Sequence, residues 1–250
     1  MTRLLAIAAL VLLAACGGPS GLDRLAIGET GRVAEVRAGD TLVLDSGLVV
    51  RLAGVEAPKD EQPYGTEARQ ALRGLADGRV VQLLYGGARR DAYGRALAQV
   101  KLKSGGRWLQ GALLRGGDAR ARTWADNRAM AGELYEAEAY ARNRSLGLWK
   151  LTPYRVLTPV ETRDADGFQI VEGRVRRIGP DGALEFGDDG QGFSGAIDPK
   201  ADREFRTAGK SPEQLRGHLV RVRGWMRYGR DGPEVRLDHP EQIEVLKEKD

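Results

Sequence analysis

Ten residues from Val50 to Lys59 constrain the fold of this chain more than any other stretch. They read VRLAGVEAPK. The apolar residues predict a buried β-strand that stops at Pro58, because proline has no N–H for a strand ladder and restricts the residue before it. An arginine inside an apolar strand is costly unless it meets a charged partner or an anionic ligand. The sequence therefore predicts that Arg51 belongs to a charged site at the end of this strand.

The surrounding residues predict a small β-barrel with helices. Short β-like runs bounded by turn residues occupy 33–55, 80–84 and 96–100. Apolar residues at helical spacing predict helices over 66–75, with Thr66 as N-cap, and over 108–115 and 127–143. Five short strands with helices at one end favour an OB-fold. The predicted fold class is α+β, mostly β, with a five-stranded OB-fold barrel and about three helices over residues 31–150.

The last hundred residues also predict mostly β-structure. Residues 151–165, with Pro153 and Pro159, predict a linker. Strand-like runs over 166–250 predict a second small OB-like β-barrel, with Ser211 capping a short helix. Leu219 to Trp225 alternates strictly, which predicts one buried face and one face of arginines.

The charge of the chain is unevenly distributed. The net charge is +4 over 250 residues. Residues 1–150 carry 22 Lys and Arg against 16 Asp and Glu, a net of +6, whereas residues 151–250 carry 17 against 19, a net of −2. The first part could therefore attract a polyanion, and the alternative is an ordinary solvated, arginine-rich surface.

The N-terminus predicts export and lipidation. Arg3 precedes an apolar run from Leu4 to Ala15, too short to span a bilayer but suited to a secretory signal. Cys16 follows small residues in a sequence that resembles a bacterial lipobox. The prediction is a signal peptide over 1–16, lipidation at Cys16 and a tether over 17–30. No other cysteine follows, so the mature chain has neither a disulfide framework nor a cysteine metal site.

Six ordered blocks between residues 38 and 149 resemble the pattern of the staphylococcal nuclease (thermonuclease-like) family. They are Ala38-Gly39-Asp40-Thr41, Val50-Arg51-Leu52, Glu56-Ala57-Pro58-Lys59, Tyr64-Gly65-Thr66-Glu67-Ala68, Asp91-Ala92-Tyr93-Gly94-Arg95 and Gly147-Leu148-Trp149. The resemblance implies calcium-dependent hydrolysis of DNA or RNA phosphodiesters on an OB-fold.

By residue-for-residue match, the resemblance assigns roles within the site. Arg51 and Arg95 would hold the phosphate and stabilise the charge that builds on it, a task suited to guanidinium groups. Asp40, Glu56 and the backbone carbonyl of Ala57 would hold Ca²⁺ through oxygen ligands. Tyr93 would contact the substrate.

Two departures from the family pattern bear on activity. The position of the catalytic glutamate is Lys59, and a lysine at its usual pKa is not a base near neutral pH. Ala38 replaces the first aspartate of the metal motif. Asp60 or Glu61, in the short loop that follows, could swing in as a substitute base, which is an alternative to loss of the base. The phosphate-binding half of the site is present, and the water-activating half is altered.

The predicted second barrel has fewer residue patterns that indicate a binding or catalytic site. Trp225 and Tyr228 lie among four arginines and could stack bases, although a solvent-exposed strand face gives the same pattern and is favoured; these arginines are Arg221, Arg223, Arg227 and Arg230. His239-Pro240 predicts a turn at a strand end rather than a zinc site.

Two functions follow from the sequence. One is a monomeric, lipid-anchored nuclease outside the cytoplasm, with Ca²⁺ as cofactor and nucleic acid as partner. The other is a non-catalytic envelope lipoprotein that binds nucleic acid or another polyanion. Gly17 after the cysteine favours the outer membrane.

Overall fold

The computed structural model describes residues 21–187, 192–229 and 232–247. The predicted signal segment with Cys16 lies outside the described residues, as does Arg230. Within the described part of the chain, no helix is both long and apolar enough to cross a membrane.

The first unit is a closed five-stranded barrel with three helices. Its strands are joined in the order β1-β2-β3-β6-β5, and β5 pairs back onto β1. The predicted OB-fold barrel is therefore confirmed. The elements of this unit are β1 (Ala26–Ala38), β2 (Thr41–Leu44), β3 (Val49–Leu52), β4 (Val55–Glu56), α1 (Gly65–Ala76), β5 (Val80–Tyr85), β6 (Ala96–Leu102), α2 (Leu109–Gly116), β7 (Arg120–Ala121) and α3 (Ala131–Arg142).

Strand register places Arg51 at the centre of the later site. On β3 it lies opposite Thr41 of the antiparallel β2 and opposite Leu97 of the parallel β6. The strand predicted to run to Val55 is broken at Gly54, whose φ is +82°. A side chain is strained in that conformation, so glycine permits the bend between β3 and β4.

Helix α1 begins at Gly65, not after a Thr66 cap. Its N-cap is Tyr64, with φ +70° and no side-chain capping bond. The tight turn after Lys59 ends at this point, with Gln62 N–H bonded to the Lys59 carbonyl and Gly65 N–H bonded to the Gln62 carbonyl. The incoming turn sets the helix start and overrides the preference of threonine for the cap.

The second unit is a β-sheet with two short helices. Its path is β14-β12-β13-β11-β10-β9, with β8 beside β12, in contrast to the closed ring of the first unit. The elements are β8 (Phe168–Arg174), β9 (Arg177–Ile178), β10 (Leu184–Glu185), β11 (Ser194–Ile197), α4 (Asp202–Thr207), α5 (Pro212–Leu215), β12 (Leu219–Gly229), β13 (Gly232–Leu237) and β14 (Ile243–Val245). Ser211 caps α5 through a capping box, as predicted.

The predicted tether and linker are partly structured. A 3-10 helix covers Gly21–Arg24 and β1 starts at Ala26, so the barrel begins before residue 31. The region predicted as a linker contains the 3-10 helices Thr152–Tyr154 and Pro159–Thr162. Tyr154 is buried and donates its hydroxyl to the Pro63 carbonyl over 2.5 Å. This segment therefore packs onto the first unit.

The two units share an apolar cluster. Trp149 and Leu148 of the first unit pack with Phe168 and Ile170 of the second, around Tyr154. Each unit also has its own core of buried aliphatic side chains. The joint cluster means that the units bury apolar surface against each other, which favours one arrangement.

The arginine face of β12 lies at the contact between the units. Arg223 is 1% exposed and donates to Glu138 of α3 over 3.0 Å, to the Ala121 carbonyl over 2.9 Å, and to Glu244. Arg221 pairs with Glu172 over 2.6 Å. The interpretation of this face as solvated is therefore wrong for both residues. Strict alternation shows that a strand has two faces but not that the other unit of the chain covers part of the polar one.

Candidate functional site

A cleft of about 650 Å³ opens beside β2 and β3 of the barrel. The sequence-predicted residues meet here, together with side chains from the α2–α3 connection and from β12. The charged and aromatic residues that line the cleft are Asp40, Arg51, Glu56, Lys59, Arg90, Asp91, Tyr93, Arg95, Arg122, Trp124, Asp126 and Trp225.

Arg51 is buried at the base of the cleft with both ends of its guanidinium bonded. Its Nη1 donates to the carbonyls of Leu52 and Val55, over 2.9 and 2.8 Å. Its Nη2 lies 3.1 Å from Asp40 Oδ2 and 3.0 Å from Glu56 Oε2. Backbone carbonyls thus orient the planar group, and two carboxylates balance its charge. These contacts compensate for the cost of burying an arginine in an apolar strand.

Asp40 is held by the turn between β1 and β2. Its Oδ1 accepts the Thr41 hydroxyl over 2.9 Å, and its Oδ2 accepts the Ala57 N–H over 3.1 Å. Close approach of the two segments requires glycine at position 39, since a Cβ there would lie 2.7 Å from the Ala57 Cβ. The Gly39-Asp40 pair of the sequence motif therefore fixes the carboxylate beside the β4 strand.

Glu56 lies between two guanidinium groups. Its Oε2 accepts from Arg51 over 3.0 Å and from Arg122 over 2.8 Å. The Arg122 guanidinium stacks near Trp124, 4.7 Å from the ring centroid, and near Trp225, 5.4 Å from the centroid. The acids at the base of the cleft are therefore neutralised by a second arginine in addition to Arg51.

Arg95 and Tyr93 form the opposite wall. Arg95 Nε pairs with Asp91 Oδ2 over 2.7 Å, and its guanidinium lies 5.4 Å from the Tyr93 ring centroid. Partial burial raises the pKa of Asp91, but hydrogen bonds from Arg95 and from the Tyr93 N–H outweigh it and lower that pKa. Asp91 is therefore an anion that orients Arg95. Tyr93 is 85% exposed and free to meet a ligand.

The loop after Pro58 presents Lys59 to the cleft. Lys59 is exposed, and its backbone N–H donates to Gln62 Oε1 over 2.8 Å. Asp60 instead pairs with Arg69 of α1 over 3.2 Å, and Glu61 is exposed. Neither acid lines the cleft. The structure thus does not bring the two predicted substitutes for the base into the site.

A family model described as "Staphylococcal nuclease homologue" matches residues 49–151. A thermonuclease of Staphylococcus intermedius is 31% identical over 132 residues, which is 49% of this chain and 77% of that protein. The chain belongs to the staphylococcal nuclease family. A micrococcal nuclease of Shigella flexneri is 33% identical over 129 residues, 49% of this chain and 72% of that protein.

Other relatives of this nuclease-family chain are matched over a smaller share of their own length. The staphylococcal-like nuclease CAN1 of Arabidopsis thaliana is 32% identical over 107 residues, 43% of this chain and 31% of that protein. An Escherichia coli O157:H7 protein named as an endonuclease is 38% identical over 78 residues, 30% of this chain and 50% of that protein. The chain thus spans about a third to a half of the first curated relatives it matches.

The oxygen donors of the cleft would supply part of the shell that a hard cation requires. Asp40 Oδ2 and Glu56 Oε2 both lie within 3.1 Å of the same Arg51 nitrogen, so the two carboxylates are adjacent. The carbonyl of Ala57 follows directly in the chain. Calcium takes six to eight oxygens, and the described residues hold no group of three or more acidic, histidine or cysteine side chains suited to a metal. Water would have to complete the shell.

Sequence reasoning missed two side chains of this nuclease-family site and misjudged a third. Arg122 and Trp124 follow β7 and carry no motif of their own. The sequence pattern indicated Trp225 as an aromatic residue among arginines, but it did not indicate that this side chain reaches the first unit. Each reaches the cleft through tertiary packing, because β7 pairs with β4 and β12 is fixed to α3 by Arg223.

Proposed function

We propose that the chain hydrolyses phosphodiester bonds of DNA or RNA at this cleft, slowly and with Ca²⁺ bound. The observation that carries the proposal is that Arg51 and Arg95 line the same cleft as the adjacent carboxylates Asp40 and Glu56. Family membership supports the same chemistry. The substrate would be an exposed strand of nucleic acid, since the cleft is open and Tyr93 stands at its wall.

The two arginines would act on the phosphate. Arg51 is held in place by carbonyls and Arg95 by Asp91, so neither group has to reorganise greatly when charge builds on the transferred phosphoryl group. Fixed donors of this kind stabilise a transition state more than flexible ones. Tyr93 would contact the nucleotide beside the phosphate.

Asp40, Glu56 and the carbonyl of Ala57 would hold the calcium. When bound, the ion would neutralise phosphate charge beside the two arginines. Glu56 also carries the Arg122 guanidinium, so Arg122 competes for one of the proposed ligand oxygens. This competition is a reason to expect weak metal affinity.

Activation of the attacking water is the weak part of the site. Lys59 occupies the position of the general base and lines the cleft. Among the carboxylates of the cleft, Asp40 and Glu56 pair with Arg51 and Asp91 pairs with Arg95. Asp126 is exposed and has no ion pair within the described part of the chain. Loss of a general base costs about 10²- to 10⁴-fold in rate, so slow turnover is expected.

A second function is favoured by Lys59 itself. A cation at position 59 adds to Arg51, Arg95 and Arg122, which suits retention of a polyanion rather than its cleavage. In this case the protein would be a non-catalytic envelope lipoprotein that binds nucleic acid or another polyanion.

We also propose that the protein is anchored outside the cytoplasm by lipid on Cys16, with the outer membrane favoured. The support is the sequence pattern of Arg3, the apolar run to Ala15 and the cysteine after it. Cys16→Ser should move the protein from the membrane to the soluble fraction of cells and abolish labelling by a fatty-acid probe. Unchanged fractionation and labelling would contradict the anchor.

Digestion assays test the choice between hydrolysis and binding. Single- and double-stranded DNA and RNA are incubated with the purified chain in calcium or in chelator, at several salt concentrations. Hydrolysis predicts slow cleavage that chelator stops. Salt-dependent binding with no cleavage in either condition would support the binding function instead.

A further inference from the structure

We infer that the second unit supplies part of the nucleic-acid site, with Trp225 as a stacking surface for an unpaired base next to the bound phosphate. This inference rests on the proposed function and extends it to the class of substrate: single-stranded DNA or RNA. It is carried by the position of Trp225, which belongs to β12 of the second unit yet lines the cleft of the first.

The cleft continues from one unit to the other. Beside the main cleft lies a smaller one of about 220 Å³. Arg122, Trp124 and Trp225 line both, so they form the passage between them. A strand bound at Arg51 and Arg95 can therefore extend past Trp225 without leaving the surface.

The chemistry of the passage fits a nucleotide. Trp225 is 47% exposed, so part of its ring is available for stacking. It packs edge-to-face with Phe168, with ring centroids 6.4 Å apart, which restricts the orientation of the indole. Aromatic side chains bind bases of any sequence in this way, whereas paired bases inside a duplex offer no free face.

Charge along the smaller cleft suits the backbone that follows the base. Its lining includes one acid, Asp238, and three arginines that reach solvent: Arg122, Arg227 and Arg236. Arg227 and Arg236 are about half exposed and pair with Glu234 and Asp198 at the rim. An anionic chain with flat bases matches both features of this surface.

The position of Trp225 is built into the contact between the units. Arg223, two residues earlier on the same face of β12, is anchored to Glu138 and to the Ala121 carbonyl. Arg122 directly follows Ala121 and stacks on Trp225. The same contact therefore fixes the aromatic ring and the arginine that reaches Glu56.

Binding of a labelled oligonucleotide tests the inference. The probe is single-stranded, about 10 nucleotides long, within the range of roughly 4–16 that one OB-fold covers. Its phosphorothioate linkages resist cleavage, and affinity is measured by fluorescence anisotropy in calcium and again in chelator, at one fixed salt concentration. Duplex of the same sequence and inorganic polyphosphate are the comparison ligands.

Trp225→Ala should weaken single-strand binding by about 5- to 100-fold, the cost of one lost stacking contact. Binding of duplex and polyphosphate should change less than about twofold, because neither uses an unpaired base. Trp225→Leu, which fills space against Phe168 without a stacking plane, should behave like Trp225→Ala and guards against misfolding. The matched control is Tyr228→Ala, an exposed aromatic on the same strand that lines neither cleft.

Probes that each lack one base provide the decisive comparison. In the wild-type chain, one missing base should reproduce the loss caused by Trp225→Ala, and in the Trp225→Ala chain the same probe should bind no more weakly than the intact one. Equal single-strand affinity of wild type and both Trp225 variants would overturn the inference, as would an equal loss with polyphosphate.

Failure of the inference and failure of the proposed function give different results. Trp225-dependent binding without cleavage in calcium overturns hydrolysis and keeps the stacking site. Cleavage of normal DNA or RNA, together with binding that does not change in the Trp225 variants, keeps hydrolysis and overturns the stacking site. A wild-type chain that binds no oligonucleotide in either condition overturns both.

Discussion

Arg223 of β12 donates to the Glu138 carboxylate of α3 over 3.0 Å, and both side chains are sealed from solvent. Glu138 also accepts the Ala121 N–H over 2.7 Å and pairs with Arg142 over 3.0 Å. The ion pair thus links the second unit to α3 and to β7, and Arg122, which directly follows β7, lines the cleft. It specifies where β12, and with it Trp225, lies against the barrel.

Glu138→Leu should destabilise the chain strongly. It would take one of two carboxylates from the buried Arg223, which keeps Glu244, and would take the acceptor from the Ala121 N–H. Removal of one partner of a buried ion pair costs about 3–5 kcal/mol. Urea unfolding at neutral pH measures the loss. Arg206→Ala, which removes an exposed pair with Asp202, is the control and should change stability little. A Glu138→Leu chain as stable as the control would contradict a structural role for this contact.

Stability should fall in acid because of Glu244. Burial raises the pKa of Glu244, but Arg223, Arg221 and Arg142 outweigh it and lower that pKa below its usual 4.5. The unfolded chain therefore binds the proton more readily, so the stabilisation is complete above pH 4.5 and is lost as pH falls through the lowered value. Glu244→Gln should flatten this part of the profile of unfolding free energy against pH. An unchanged slope would show that other carboxylates dominate.

Lys59→Glu should raise the rate of nucleic-acid cleavage. The substitution puts a carboxylate at the general-base position, and such a base contributes about 10²- to 10⁴-fold. Lys59→Gln separates this effect from the loss of positive charge and should give no comparable rise. Asp126→Asn, in the Lys59 background, shows whether the unpaired carboxylate of the cleft contributes to the residual rate. No gain from Lys59→Glu in initial rates with calcium would contradict the proposed cause of slow turnover.

Arg95→Ala should reduce cleavage by about 10²- to 10³-fold, the effect expected for loss of one donor to the transition state. Arg95 is partly exposed, and in the described part of the chain it forms an ion pair only with Asp91. The fold should therefore tolerate truncation of this side chain. Arg51→Lys keeps the charge but not the planar, two-ended geometry and should also lose most activity. Arg37→Ala, an exposed arginine paired with Glu35 on β1, is the matched control. Full activity in Arg95→Ala would rule out its role on the phosphate.

Local pattern was sufficient to predict most of the barrel. β2 and β3 lie within the stretch predicted as β at 33–55, and the helical spacing after Thr66 lies in α1. Arg51, Asp40, Glu56, Lys59, Tyr93 and Arg95 meet in one cleft as their motifs imply. These residues lie in or next to the short strands of one barrel, so a correct prediction of the barrel also predicts which of these side chains become neighbours.

Features that depend on tertiary contacts or on a neighbouring loop could not be predicted from the pattern of the element itself. Arg223 looks identical in sequence to a solvated strand arginine, yet Glu138 lies 85 positions away and covers it. Arg122 carries no motif, and its role follows from the pairing of β4 with β7. Turn geometry at Tyr64 likewise depends on the loop that precedes it rather than on the preference of Thr66 for a helix cap.

Gly65 packs so closely beneath the Lys59 loop that a Cβ there would lie 1.8 Å from the Lys59 carbonyl. The main chain at position 59 is therefore held by glycine and by the start of α1, while its side chain projects into open space. Lysine and glutamate codons differ by one base, so a single point mutation can exchange one for the other without remodelling the loop. If a glutamate at this position acts as the proposed general base, this single exchange would switch hydrolysis at the cleft on or off while the scaffold stays unchanged.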